Sequence, residues 1–203
     1  MKGKICLLTL LFIGVMLTSC KKSAMNFEND FEKSNKEWLI FKEISNNSYS
    51  YMVTGSTWTG SAWETVITVT NGKITQRHFK FTSVEGLVNV PQEALEWTEN
   101  ENEINSHDSA DEALTLDQIY DKARNEWLIK RKNAKPYFET NNNGLISSCG
   151  YVEDGCMDDC FIGIKIAHIE SIDSKSLDLF CSTKPEGWSC QVYQNSFDTL
   201  PIP

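Results

Sequence analysis

The 203-residue chain carries 28 Asp and Glu against 19 Lys and Arg, giving a formal net charge of −9, and 40% of its residues are hydrophobic. Its length suits one domain with a core of ordinary size, and its apolar content excludes a disordered spacer. The acidic balance argues against nucleic acid as a partner and against attraction to anionic lipid, because both need clusters of Lys and Arg.

The first twenty residues have the order of an export signal. Two lysines precede an apolar run at 5–17, which as a helix reaches only roughly 20 Å, less than the hydrocarbon core of about 30 Å. Small residues and Cys20 follow, and this order resembles the signal of bacterial lipoproteins. The resemblance implies removal of residues 1–19 and a membrane anchor of palmitate-type acyl chains on Cys20. Lys21 is not the aspartate that retains such proteins in the inner membrane, which favours the outer membrane. The alternative is a plain secretory signal with Cys20 in a disulfide.

The segment after this signal predicts a tether, a helix and a hairpin. Residues 20–26 comprise the lipidated cysteine and a polar tether at 21–26, and aromatic residues then recur at helical spacing: Phe27, Phe31, Trp38 and Phe41. Asn71-Gly72 separates two β-rich runs, and both residues tolerate the positive φ angles of a type I′ turn. If that turn sets the register, the two faces are Ile67, Val69, Ile74 and His78 toward the helices, and Thr68, Thr70, Thr75 and Arg77 away from them.

A second helix is separated from this hairpin by a long acidic stretch. Residues 84–113 lack periodicity, which predicts a solvated and partly mobile loop rich in carboxylates: Glu96, Glu99, Glu101, Glu103, Asp108, Asp111 and Glu112. Thr115 and Gln118 then have the spacing of a capping box, and an apolar stripe follows as far as Trp127.

The last part of the body predicts two more strands. Residues 145–152 are weakly patterned, whereas Ile162, Ile164 and Ile166 alternate as in a half-buried strand. The order of elements predicts an α+β domain over residues 27–172, with an antiparallel sheet of about five strands and two helices packed on one face. Residues 173–203 are predicted to form an irregular, cysteine-containing tail that a disulfide pins to the body.

The same order of elements resembles a family of small bacterial envelope lipoproteins of unassigned function. The resemblance covers roughly residues 36–170 and is carried by four features: Trp38, the Tyr49-Ser50-Tyr51 strand, residues 66–72, and the helix start at residues 115–120. It departs where residues 149–160 interrupt the last strand pair and where the tail is added. The resemblance implies an α+β fold and supplies no active-site residues for this chain.

Five cysteines follow Cys20, and export permits their oxidation. Five choices of unpaired thiol times three pairings give fifteen arrangements of two bridges, which sequence alone does not separate. We predict Cys149–Cys160 and Cys181–Cys190, with Cys156 as the free or alternative thiol. A zinc site is the alternative, although the spacing matches no familiar zinc motif.

Other candidate chemical groups are weak. Asp154, Asp158 and Asp159 crowd the cysteine loop and are candidate Ca²⁺ ligands or an acid–base pair, but their order matches no calcium loop, and a solvated acidic turn is favoured. No catalytic motif adjoins the histidines, and we expect His78 and His168 to lie on the buried side of their strands. His107 likewise has no nucleophile beside it, so the sequence predicts no catalytic residue and no cofactor.

Two tryptophans lie near a strand connection among small polar residues. One interpretation is that Trp58 and Trp63 form an exposed surface that stacks on sugar rings or anchors a protein partner. The favoured interpretation is that Trp63 begins a core strand and Trp58 covers the loop. The sequence therefore predicts an outer-membrane-anchored envelope lipoprotein that is a non-enzymatic binding module for a protein or glycan. The alternative is an exported hydrolase or metal-dependent enzyme that uses the acidic, cysteine-rich loop.

Overall fold

A computed structural model describes residues 24–172 of the chain. In order, its elements are α1 (Glu28–Ile44), β1 (Tyr49–Ser56), β2 (Ser61–Thr70), β3 (Lys73–Val84), α2 (Gln92–Leu95), β4 (Glu96–Asn100), α3 (Leu116–Lys122), β5 (Ala134–Glu139), β6 (Ser148–Glu153) and β7 (Ile162–Ser171). A π-helical turn, Ala123–Trp127, continues α3. None of the described helices is long and apolar enough to cross a membrane.

The described strands form one antiparallel sheet of seven, in the order β4-β3-β2-β1-β7-β6-β5. The α+β class is confirmed, but the predicted number of about five strands is too small. One additional strand is β4, inside the stretch predicted to be a solvated loop, and the other is β5, around Pro136. These two are the edge strands: β4 has five residues, and β5 contains a proline, which has no N–H to donate.

An aromatic core joins α1 and α3 to the inner face of the sheet. The Trp38 ring stacks on Tyr120 with centroids 6.1 Å apart and meets Tyr49 edge-on at 5.4 Å. The hydroxyl of Tyr49 accepts a hydrogen bond of 2.8 Å from the N–H of Leu116, at the start of α3. All four residues are buried, so the helices are fixed to the sheet by apolar area and by polar groups that find partners within it.

The N-terminus of α3 has the predicted capping box. The Thr115 hydroxyl accepts from the N–H of Gln118 at 3.3 Å, and the Gln118 side chain accepts from the N–H of Thr115 at 2.8 Å. These two bonds satisfy N–H groups that have no partner within the helix. They fix the point at which irregular chain becomes helix.

The hairpin of β2 and β3 has the predicted turn but not the predicted faces. Asn71 and Gly72 have φ angles of 50° and 79°, as a type I′ turn requires. Thr68 pairs with Gln76 whereas Val69 pairs with Ile74, so Thr75 is an extra residue in β3. This bulge exchanges the two faces of β3 from Gln76 as far as Phe81, after which a second bulge at Thr82 shifts the register again. The face prediction is therefore wrong beyond the bulge: Arg77 is buried against the inner face, opposite Ile67, and His78 lies on the outer face.

Candidate functional site

An open groove of about 690 Å³ lies on the outer face of the sheet, the face away from α1 and α3. Strands β5, β6 and β7 form its floor, and Thr54 of β1 lies at its side. Its lining includes the side chains of Tyr137, Glu139, Asn141, Ser148, Phe161 and Lys165. We call these six residues and the space between them the outer groove.

Two glycines lie beneath an aromatic pair at one end of the outer groove. Gly150 and Gly163 face each other across β6 and β7. A Cβ at Gly150 would lie 2.6 Å from the ring of Phe161, and one at Gly163 would lie 2.1 Å from a backbone oxygen. The rings of Tyr137 and Phe161 meet edge-to-face with centroids 6.1 Å apart. Glycine at position 150 therefore leaves space for the Phe161 ring over the strands, and glycine at position 163 allows the backbones of β6 and β7 to approach closely.

Positive charge flanks this aromatic pair on both sides. The ammonium group of Lys135 lies 5.1 Å from the centroid of the Tyr137 ring, and that of Lys165 lies 5.1 Å from the Phe161 ring. Such contacts hold the lysine side chains against the ring faces. The rings and the ammonium groups therefore form one surface, half apolar and half cationic.

The other end of the outer groove is built from the turn between β5 and β6. The Asn142 side chain donates to the carbonyls of Ile146 and Ile166 at 3.1 and 3.0 Å, which ties the turn to β7. The Asn141 side chain donates to the Glu139 carboxylate at 3.2 Å, and its N–H donates to the Ser147 hydroxyl at 3.0 Å. Carboxylate, amide and hydroxyl groups thus converge on a turn held rigidly by its own hydrogen bonds.

A second polar cluster is buried on the inner face. Arg77 and Glu99 are each 1% exposed, and their side chains approach to 3.1 Å. The guanidinium also donates to the carbonyls of His107 and Ala110 at 3.2 and 2.9 Å. These bonds draw the irregular chain of 101–115 across β3 and β4, so the prediction of a solvated acidic loop is wrong for Glu99.

The Glu99 carboxylate is held ionised by several donors. Burial alone would raise its pKa, but the N–H groups of His107 and Asn105 donate to it at 2.7 Å each, and the His107 ring and the Arg77 guanidinium add further bonds. Together they lower the pKa of Glu99 to about 2. The cluster therefore keeps a full negative charge inside the protein, matched by Arg77.

His107 does not form a nucleophile–base–acid arrangement with this carboxylate. Its ring stacks on Trp97 at 4.0 Å, and Nδ1 lies 2.9 Å from Glu99. The Ser106 hydroxyl lies 3.4 Å from that same nitrogen. A catalytic triad needs the nucleophile on the opposite ring nitrogen from the carboxylate. The geometry supports a structural role, in which the imidazole covers the ion pair.

The other two histidines lie on the outer face, so the prediction that they face the buried side is wrong. His78 is moved there by the bulge at Thr75, and its Nδ1 lies 2.9 Å from the Thr98 hydroxyl. His168 is moved there by a bulge in β7, where Met52 pairs with His168 but Val53 pairs with Ile166. Both side chains are partly exposed and lie near carboxylates, Glu96 and Glu170.

The cysteine pairing differs from the prediction. Cys156 and Cys160 form a disulfide across a sequence separation of four, with a Cα–Cα distance of 6.1 Å. Cys149 is the free thiol among the described cysteines, because it lies on β6 and faces the buried core opposite Ile164. Burial raises the pKa of its thiol. The Cys149–Cys160 pair and the free Cys156 are therefore wrong, while Cys20, Cys181 and Cys190 lie outside the described residues.

The acidic candidates do not gather into a ligand set. Asp154, Asp158 and Asp159 are exposed on the connection between β6 and β7. Within residues 24–172, no group of three or more His, Cys, Asp or Glu side chains has the geometry to hold a metal ion. The connection is instead shaped by the disulfide.

The two tryptophans near the first hairpin lie in different environments. The Trp63 ring covers Gly55 on the inner face, where a Cβ would meet it at 2.3 Å, and its Nε1 donates to Asp111 at 3.2 Å. Trp58 projects from the loop between β1 and β2 and is 74% exposed. The structure thus does not bring them together as one aromatic platform.

The aromatic pair of the outer groove was missed by sequence reasoning. Tyr137 and Phe161 lie far apart in the chain, and only the pairing of β5, β6 and β7 brings them together. Glycines inside strands were the available signal, since they often mark a close approach of another group. Gly150 and Gly163 are such glycines.

Comparison with known protein families, with curated proteins and with solved structures gives no match in any of the three searches.

Proposed function

We propose that the chain is an outer-membrane-anchored envelope lipoprotein whose α+β domain is a non-enzymatic binding module, and that its ligand is a glycan held in the outer groove. The observation that carries this proposal is the aromatic pair of Tyr137 and Phe161 beside a rigid polar turn. The order of basic, apolar and small residues before Cys20 supports the anchor.

The chemistry of the outer groove favours a sugar over a protein ligand. Sugars present C–H faces to aromatic rings and hydroxyl groups to polar side chains, and the groove supplies both on a preformed floor. A peptide that added a strand would need a free sheet edge, whereas this groove lies on the face of β5, β6 and β7. The mixture of Glu139 and Lys165 accommodates neutral or zwitterionic sugars better than strongly charged chains.

Calorimetric titration with soluble peptidoglycan fragments and neutral envelope oligosaccharides tests the ligand. We expect Tyr137→Ala and Phe161→Ala each to weaken binding by roughly tenfold or more, since each removes an aromatic face of the kind that dominates such sites. Trp58→Ala is the matched control, because it removes an exposed aromatic ring outside the groove. Binding that depends on Trp58 but not on Tyr137 or Phe161 would contradict the assignment of the site.

The anchor is tested separately in cells. Cys20→Ala should abolish labelling by a fatty-acid probe and release the protein from the membrane fraction. Labelling that persists in this variant would refute acylation at Cys20.

A further inference from the structure

The exposed apolar side chains are concentrated at one end of the sheet. Of nine large hydrophobic residues exposed among residues 24–172, six lie where β1 and β3 finish and β2 and β7 begin: Trp58, Val84, Leu87, Val88, Met157 and Ile162. Trp58 is 74% exposed, Val88 82% and Met157 90%. We call these six residues the apolar end. Apolar clusters of this kind on a protein surface mark sites of contact with another protein or with a membrane.

Three connecting segments lie side by side at this end, and two of them are in direct contact. The Ser83 hydroxyl donates to the carbonyl of Gly60 at 2.9 Å, and a Cβ at Gly86 would lie 2.8 Å from Thr59, so the segment after β3 lies on the loop that carries Trp58. Thr57 of that loop and Cys160 of the disulfide connection, which carries Met157, line the same small pocket. The three segments of the apolar end are therefore neighbours at one end of the sheet.

The N-terminal end of the described chain joins the body at this same end of the sheet. The carbonyl of Ala24 accepts from the N–H of Lys130 at 2.9 Å, and the carbonyl of Asn133 accepts from the N–H of Asp154, also at 2.9 Å. Residues 130–133 thus connect the entry point of the chain to the start of the disulfide connection. Only four peptide bonds separate Cys20 from Ala24, a span of at most about 14 Å.

We propose that the apolar end is a membrane-contact surface, which lies against the phospholipid headgroups and inserts Trp58, Val88 and Met157 at their boundary. This inference rests on the proposed acyl anchor at Cys20, because the short connection keeps the domain close to the bilayer and brings this end nearest to it. The surface orients the domain, so the outer groove stands beside the membrane and the turn between β5 and β6 points away from it.

The charges on the same segments set the strength of the contact. Glu85, Asp158 and Asp159 accompany the apolar residues, so anionic lipid does not attract this surface. The contact is weak for a free protein and becomes effective when the anchor raises the local concentration of the surface at the bilayer. The acyl chains therefore bring the protein to the membrane, and the apolar end contacts the membrane only once they are inserted.

The test uses the full acylated protein, reconstituted into vesicles of phosphatidylethanolamine and phosphatidylcholine with a doxyl-labelled lipid as quencher. We expect lipid quenching of tryptophan fluorescence in the native protein and its loss in Trp58→Phe. We also expect amide exchange in residues 56–60 and 85–91 to be at least about threefold slower in vesicles than in the soluble Cys20→Ala variant. Val88→Ser with Met157→Ser should reverse this protection, whereas Leu39→Ser, at an exposed position on α1, should leave it unchanged.

The possible results separate the inference from the function on which it rests. Equal exchange in vesicles and in solution, with Cys20 acylated, overturns the membrane-contact surface and leaves the anchored binding module intact. Quenching that survives Trp58→Phe also overturns it. An unmodified Cys20 in the intact mass of the membrane-fraction protein refutes the anchor, and the inference falls with it.

Discussion

The inner face of the sheet is covered in two different ways. Over β1 and its neighbours, α1 and α3 pack through Trp38, Tyr49 and Tyr120. Over β3 and β4, irregular chain is held by the buried pair of Arg77 and Glu99. Apolar packing tolerates small shifts because it is non-directional, whereas a buried charge is stable only if its partners stay in place. The second region should therefore be the more sensitive to single changes and the more sensitive to pH.

The largest expected effect comes from breaking the buried ion pair. Glu99→Ala leaves the Arg77 charge without its partner and should lower the free energy of unfolding by about 3 to 5 kcal/mol, measured by urea denaturation. Arg77→Met combined with Glu99→Leu removes both charges and should recover most of that loss. A double variant as unstable as the single one would show that the hydrogen bonds to the 101–115 segment, and not the charge balance, hold this region.

A change in the region covered by α1 and α3 should lower stability somewhat less, and it should affect the whole core. Ile119 is fully buried on α3, and Ile119→Ala should cost roughly 3 kcal/mol through lost burial and a cavity. Hydrogen exchange should accelerate throughout the core, whereas Glu99→Ala should accelerate it first in residues 101–114. Identical exchange patterns for the two variants would remove the distinction between the regions.

The pH dependence of stability should come mainly from the region held by the buried pair of Arg77 and Glu99. The folded pKa of Glu99 is about 2, below the usual 4.5, so its stabilising contribution is complete above pH 4.5 and is lost as the pH falls toward 2. We expect a loss of roughly 2 kcal/mol by about pH 3, measured from urea transitions at each pH. The variant with Arg77→Met and Glu99→Leu should lack this part of the acid sensitivity, and an unchanged pH profile in that variant would assign it to other groups.

The smallest expected effect lies at the boundary of the two regions. Thr115→Ala removes the cap of α3 and should cost about 1 kcal/mol in a thermal or urea transition. Thr115→Ser keeps the hydroxyl and should retain most of the stability. If serine does not rescue, the methyl group of Thr115 contributes more than its hydrogen bond.

The sequence predicted the features that depend on local patterns better than those that depend on long-range contacts. The aromatic spacing of α1, the Asn71-Gly72 turn and the capping box of Thr115 are local patterns, and all three are present. The buried face of β3 was predicted wrongly because one extra residue, Thr75, reverses the side chains that follow it as far as Phe81, and no local pattern marks that position.

Long-range polar contacts were the other source of error. A glutamate within an acidic stretch resembles its exposed neighbours, and only the tertiary pairing with Arg77 distinguishes Glu99. The outer groove was missed for a similar reason, since Tyr137 and Phe161 meet only when three strands pair. The cysteine pairing depended on whether Cys149 faces the core, which a weak strand pattern did not decide.

The edges of the sheet affect how copies of the chain behave when crowded together. An open sheet presents unpaired backbone groups at both sides, and long, regular edge strands invite a second molecule to extend the sheet. Here one edge, β4, offers only five residues and exposes the carboxylate of Glu96, and the other, β5, contains Lys135 and Pro136. Both edges resist intermolecular strand pairing, so the domain is protected against aggregation at high local density.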